Sequence, residues 1–140
     1  MIYVIHGQHG TGKTILGQKL LAFLKTSRRN WRRDVFHLDE DIPSSSTKDI
    51  CEFVSSYGCD IILSTVFPDR EYLESWKDTS NKEFIEIYLY ADNVKERTDK
   101  HIYADYKLPE VNFIQIDTST NNLDQSFSKL ITNLNKLRKI

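Results

Sequence analysis

Eight residues near the start of the chain constrain its fold more than anything else in it. Gly7-Gln8-His9-Gly10-Thr11-Gly12-Lys13-Thr14 matches G-x-x-x-x-G-K-[ST] at every fixed position. The apolar run at residues 1–6 comes directly before it and reads as a buried strand. From Lys13 the pattern changes, and Leu16, Leu20, Phe23 and Leu24 fall at helical spacing. A strand, a glycine-rich turn and a helix in that order aim successive N–H groups and a helix N-terminus at one anion. The glycines let the backbone come close to that anion without a side chain in the way. Lys13 supplies a mobile charge for β- and γ-phosphates, and the Thr14 hydroxyl is a hard oxygen ligand for Mg²⁺. The whole loop, residues 7–14, is the expected nucleotide-phosphate site. His9 has no role that the motif requires and reads as a structural or solvent-facing loop histidine.

The rest of the chain repeats the alternation. Residues 34–38, 60–66, 84–91 and 113–117 read as further strands. Ile50, Phe53, Val54 and Tyr57 share one face of a second helix, which Ser46-Thr47-Lys48-Asp49 would cap and Gly58 would end. Pro68 opens a third helix with Trp76 directed inward, a short helix covers 93–100, and Leu123, Phe127, Leu130, Ile131, Leu134 and Leu137 mark the last. About five strand–helix alternations predict an α/β fold, a parallel sheet with helices on both faces.

The chain has 140 residues, 39% hydrophobic and 28% charged, with 19 Lys+Arg against 20 Asp+Glu. That balance suits one compact domain over 1–140 and excludes a disordered tail or a supercharged nucleic-acid wrapper. No apolar stretch approaches the roughly 20 residues of a bilayer crossing. Cys51 and Cys59 are too few for a disulfide framework or a four-ligand zinc site. The expectation is a cytoplasmic protein in a reducing compartment.

A switch GTPase would carry D-x-x-G and N-K-x-D motifs, and neither is present. Residues 35–40 imitate a Walker B strand, but they follow the phosphate loop too closely for a large ATPase module. Asp39-Glu40-Asp41 instead reads as an acceptor-side D-x-D at the carboxyl end of the second strand, facing the loop across the cleft. Asp39 is assigned to the metal side with Thr14, and Asp41 to the base that accepts a hydroxyl proton; the two can exchange roles.

Along most of its length the chain resembles the adenylylsulfate (APS) kinases and related small P-loop kinases. Arg33-Asp34-Val35-Phe36-His37-Leu38-Asp39-Glu40-Asp41 looks like that family's "VxxLDGD", and residues 62–71, ending Phe67-Pro68-Asp69-Arg70-Glu71, are similar to "xISAFISPYRE". Residues 84–89 and 96–103 look like "FxEVYV" and "xERDxKGLY", and Ile116-Asp117-Thr118-Ser119 resembles "LDTS". The resemblance implies a three-layer P-loop kinase fold with strand order 2-3-1-4-5, ATP and Mg²⁺, and phosphorylation of a hydroxyl. It also implies that Arg70 and Phe67 meet the acceptor and Thr118 the nucleotide. Arg97 would sit in the lid, near the nucleotide and the moving phosphoryl group, with closure over residues 101–109. The pattern departs after Asp41. Ile42-Pro43-Ser44-Ser45-Ser46 stands where the family carries an arginine and then a long helical stretch, so the acceptor region is shorter. The implied acceptor is a small, nucleotide-like molecule such as adenylylsulfate. A nucleoside, a hydroxylated base or end of a polynucleotide, or no acceptor at all in a regulatory nucleotide-binding module are the alternatives.

Arg28-Arg29-Asn30-Trp31-Arg32-Arg33 is the one basic run. It reads as a solvated helix end that counters the helix dipole, with nucleic-acid or partner contact as the alternative. Tyr103 and Tyr106 read as loop aromatics that pack on their own domain, and both cysteines as small buried hydrophobes.

Overall fold

A computed structural model describes residues 1–27 and 34–137; the basic run 28–33 and the tail 138–140 lie outside the described residues. The elements follow in the order β1 (Ile2–His6), α1 (Lys13–Thr26), β2 (Val35–Asp39), α2 (Thr47–Ser56), β3 (Asp60–Thr65), α3 (Arg70–Thr79), β4 (Phe84–Tyr90), α4 (Val94–Arg97), β5 (Phe113–Asp117) and α5 (Leu123–Lys136). The five strands form one parallel sheet in the order β2-β3-β1-β4-β5. β1 is central, and the chain leaves it toward β2 on one side and returns to β4 on the other. That reversal opens a crevice at the carboxyl end of β1, where the glycine-rich loop begins.

Alternation along the strands divides the core into two layers. Tyr3, Ile5, Ile62 and Ile87 face α1 and α5, packing on Leu16, Leu20, Leu24, Leu130 and Leu134. Ile2, Val4, Ile61 and Leu63 face α2 and α3, packing on Cys51, Leu73 and Trp76. Burial on both faces explains why the strands read as nearly continuous apolar runs. The last helix is capped as a box: Asn122 Oδ1 accepts the Gln125 N–H, and Gln125 Oε1 accepts the Asn122 N–H.

Two helices depart from the pattern in the sequence. In α2 the stripe of Ile50, Phe53 and Tyr57 is exposed (Phe53 63%, Tyr57 72%), while Thr47, Cys51 and Ser55 are buried. Small residues let this helix lie close to the sheet, and their hydroxyls are satisfied there. Thr47 Oγ1 donates to Glu40 at 2.8 Å, and Ser55 Oγ accepts from the N-terminal ammonium at 3.2 Å. The anticipated cap is also different, since Ser46 makes no side-chain cap bond and Thr47 Oγ1 accepts the Ser44 N–H instead. Helix α4 ends at Arg97 rather than near 100, because Thr98 is extended and its hydroxyl accepts the Lys100 N–H.

Helix α1 approaches β2 and β3 at Gly17. A Cβ there would lie 2.5 Å from Nε2 of His37 and 2.6 Å from Oγ of Ser64, a pair hydrogen-bonded at 2.8 Å. Gly17→Ala is therefore expected to destabilise the fold by about 1–3 kcal/mol, despite alanine's better helix propensity. A denaturant midpoint equal to or above that of the wild type would contradict this close approach.

Candidate functional site

The loop between β1 and α1 turns sharply at Gly7, whose φ is 155°. A Cβ at that position would stand 2.3 Å from the Leu89 carbonyl oxygen of β4, so no other residue fits. In the loop, Lys13 Nζ donates to the Gln8 carbonyl at 2.7 Å, and Thr11 Oγ1 donates to the same oxygen at 2.8 Å. Burial lowers the Lys13 ammonium to about 8, against the opposing pull of Asp39 and Asp41.

The carboxyl end of β2 faces this loop. Thr14 Oγ1 donates to Asp39 Oδ2 at 2.8 Å. His9 is only 8% exposed and places Nδ1 3.5 Å from Asp41 Oδ1, with Lys100 Nζ 3.4 Å from the same oxygen. Burial lowers the His9 pKa and Asp41 opposes that shift. The loop histidine thus turns toward the D-x-D rather than to solvent. His9, Lys13, Thr14, Asp39, Asp41 and Lys100 line one cavity of about 480 Å³. Arg97, Gly12 and Ile15 also line it and extend into a second cavity of about 210 Å³, bounded by Thr118, Asn121 and Ser126.

Arg97 stands between the two cavities. Its Nη2 donates to the Thr118 carbonyl at 2.6 Å and its Nη1 to Thr118 Oγ1 at 3.2 Å, with the Gly10 carbonyl 3.4 Å away. Thr118 Oγ1 donates in turn to the Thr11 carbonyl at 2.9 Å, which ties the end of β5 to the loop.

Arg70 and Phe67 lie elsewhere. Phe67 is 4% exposed and packs with Trp76 and Tyr72 in the core. Arg70 is occupied by Glu86, a carboxylate buried at the middle of β4. Arg70 Nη1 donates to Glu86 Oε2 at 2.6 Å and Nη2 to Oε1 at 2.9 Å. Lys77 donates to Oε1 at 2.6 Å and His6 Nε2 to Oε2 at 2.6 Å. With Nε2 as donor, His6 Nδ1 accepts from the Tyr106 hydroxyl at 2.9 Å, and that oxygen accepts the Phe67 N–H at 2.9 Å. One signal for this network stood in the sequence: a single glutamate inside the apolar run FIEIYLY must find cationic partners. The segment expected as a lid is likewise docked, through Tyr106 beneath the loop and through Tyr103, whose peptide bonds to the Gln8 side chain.

The donor set suits Mg²⁺ bound together with phosphate oxygens, because Thr14 and Asp39 present hard oxygens side by side. Among the described residues no group of three or more His, Cys, Asp or Glu side chains can hold a metal by itself. No helix among them is long and apolar enough to cross a membrane.

No protein-family profile matches this chain, and no curated protein matches it in sequence. Solved structures do match. One described as APE1195 superposes with a TM-score of 0.72 at 18% identity, covering 98% of this chain and 96% of its own. A sugar kinase from Janibacter sp. HTCC2649 gives 0.63 at 14%, covering 96% and 94%. Kti12 from Chaetomium thermophilum, in complex with ADP-AlF3, gives 0.58 at 11%, covering 94% and 98%. The fold is that of the P-loop kinases. Its glycine-rich turn, Lys13 and Thr14 stand where that fold begins its first helix.

The buried network has a pH signature. Burial by itself would raise Glu86, but the hydrogen bonds from His6, Arg70 and Lys77 hold it well below the usual carboxylate range. Its pairs therefore stabilise fully above about pH 4.5 and are lost as pH falls below that. His6 is lowered by burial and takes up its proton on unfolding, so stability also declines as pH drops below 6.5. Glu86→Gln removes the buried charge partner of Arg70 and Lys77, leaving them only the half-exposed Glu74, and is expected to cost about 3–5 kcal/mol at pH 7. In denaturant titrations the difference from wild type should shrink toward pH 3; a constant difference would show that the carboxylate charge is not what the site uses.

Proposed function

We propose that this protein is an ATP-dependent kinase that transfers the γ-phosphoryl group to a hydroxyl of a small acceptor. The observation that carries the reading is the juxtaposition of an intact phosphate loop with Thr14 on Asp39 and with Asp41 facing the same cavity. The loop N–H groups and Lys13 would bind the β- and γ-phosphates, with Lys13 exchanging the Gln8 carbonyl for a phosphate oxygen. The smaller cavity would take the base. Ser126 Oγ, buried there with no hydrogen-bond partner among the described residues, is a polar group for the base to satisfy. Mg²⁺, held by Thr14 and Asp39 with the phosphates, would offset the charge of the triphosphate.

Asp41 would accept the proton of the acceptor hydroxyl as its oxygen bonds to the γ-phosphorus, while the bond to the β-phosphate oxygen breaks and ADP departs. Arg97 and Lys100 would stabilise negative charge on the moving group. An adenylylsulfate-type acceptor rests on the motifs at residues 33–41, 62–71 and 96–103, and a sugar-like hydroxyl is the alternative that the sugar kinase neighbour suggests. A second reading, a nucleotide-binding module without an acceptor, is favoured by one observation. Arg70, the residue aligned with acceptor recognition, is bound to Glu86 instead.

The two readings separate in one assay, transfer from γ-labelled ATP into sulfated nucleotides, nucleosides, sugar acids and modified DNA. The kinase reading predicts a labelled product with at least one class, whereas ATP turnover that no acceptor stimulates favours the module. Lys13→Ala is expected to abolish ATP binding or turnover. Asp41→Asn is expected to retain ATP binding and lose transfer by roughly 10²–10⁴-fold. Wild-type transfer by Asp41→Asn would remove Asp41 from the role of base.

A further inference from the structure

Residues 98–112 form neither helix nor strand, so their peptide groups are satisfied by local turns and by partners from elsewhere in the fold. Tyr103 is bonded through both its N–H and its carbonyl to one side chain, while its carbonyl also accepts the Tyr106 N–H at 3.3 Å. Its N–H donates to Gln8 Oε1 at 2.9 Å, and Gln8 Nε2 donates to its carbonyl at 2.5 Å. The side-chain amide imitates a neighbouring strand and fixes one residue of the segment in two directions. Three residues on, Tyr106 is held beneath the loop by His6 and the Phe67 N–H. These anchors set where the preceding residues fall, including Lys100 with its ammonium 3.4 Å from Asp41.

The other end of Gln8 belongs to the phosphate loop. Its carbonyl accepts from Lys13 Nζ at 2.7 Å and from Thr11 Oγ1 at 2.8 Å. A polyphosphate in the loop competes for Lys13, because a charge-assisted bond to phosphate is stronger than one to a neutral carbonyl. The contact that must change on loading and the contact that holds the segment therefore lie on one residue.

We propose that Gln8 is a positioning residue that couples occupancy of the phosphate loop by a nucleoside polyphosphate to the placement of residues 98–106. Through them it places Lys100 over the acceptor side of the cavity. This rests on the nucleotide-binding part of the proposed function and not on phosphoryl transfer. Withdrawal of Lys13 from the Gln8 carbonyl frees that peptide to settle with its side chain on Tyr103, so the paired hydrogen bonds hold the segment more tightly when the loop is loaded. The coupling is reciprocal, so a segment that cannot dock weakens polyphosphate binding by the same factor.

The test compares wild type with Gln8→Met, which keeps the length of the side chain and removes its amide. Two quantities are read with and without ADP, at a concentration that saturates each protein: trypsin cleavage after Lys100, followed by mass spectrometry, and the ¹H–¹⁵N resonance of the Tyr103 amide. In wild type, ADP is expected to slow the cleavage about tenfold, within the usual range of such couplings, and to move the resonance. In Gln8→Met, ADP should bind and alter neither. A purely structural role would raise cleavage equally in both states and preserve the effect of ADP, which would overturn the coupling. ADP binding that leaves wild-type cleavage unchanged would overturn it too. Failure of wild type to bind ADP would overturn the nucleotide reading and the coupling with it. Should Gln8→Met not fold, Gln8→Ala carries the same expectations.

Discussion

A carboxylate buried in the middle of a parallel sheet must be neutralised where it lies, and the region beneath the phosphate loop is arranged around that requirement. Glu86 faces the α3 side of β4, in register with Val4 of β1. Its oxygens are met by His6 at the end of β1 and by Arg70 and Lys77 on α3. These partners come from two elements, and Glu86 itself stands on a third, so one carboxylate ties together the strand that launches the loop, the neighbouring strand β4 and the helix covering both. His6 then passes the constraint on, since its second nitrogen holds Tyr106 and with it the irregular segment near the site. Removing the charge from the centre would free each of these in turn.

The phosphate loop meets a different problem: it must present donors to an anion while remaining stable without one. Its main cation rests on an internal acceptor, the Gln8 carbonyl, and a second anchor, Thr14 on Asp39, spans the cleft. Both are hydrogen bonds that phosphate and a divalent cation can replace in kind, so little needs to be rebuilt on binding. Burial holds the Lys13 ammonium at about 8, close enough to neutral pH that a bound polyanion would raise it and be strengthened in return.

The sequence displayed the phosphate-loop half of the candidate site clearly and the half proposed for an acceptor poorly, for physical reasons. Residues 7–14 are legible because backbone sterics and anion geometry permit few alternatives, and the strand–helix alternation is legible because the inner strands β1, β3 and β4 are buried on both faces. The orientation of α2 was hidden. Its apolar residues repeat at helical spacing, but the small residues Thr47, Cys51 and Ser55 allow a closer approach to the sheet and win the buried face. Arg70 and Phe67 sit in a segment that resembles an acceptor site, yet local spacing does not reveal Glu86, sixteen residues beyond Arg70, which claims the guanidinium. The contact between Gln8 and Tyr103, 95 residues apart, is of the same kind, because no periodicity reports a side chain that pairs with a distant peptide.

The imbalance between the two halves bears on how such a chain can be specific. Arg97 and Thr118 are each held by several partners and Lys13 by the Gln8 carbonyl, so the phosphate-loop half is held in place by the chain itself. On the acceptor side, Asp41 and Lys100 are largely exposed, at 65% and 58% for their side chains, and the chain runs from Asp41 into α2 with only a short loop between. On the proposed kinase reading, with Arg70 engaged by Glu86, discrimination among hydroxyl compounds would come from His9 against Asp41 and from Lys100 as residues 98–106 settle. A site of that design would recognise an acceptor through the placement of a segment rather than through a preformed pocket, which would make the docking of that segment a determinant of specificity as much as of rate.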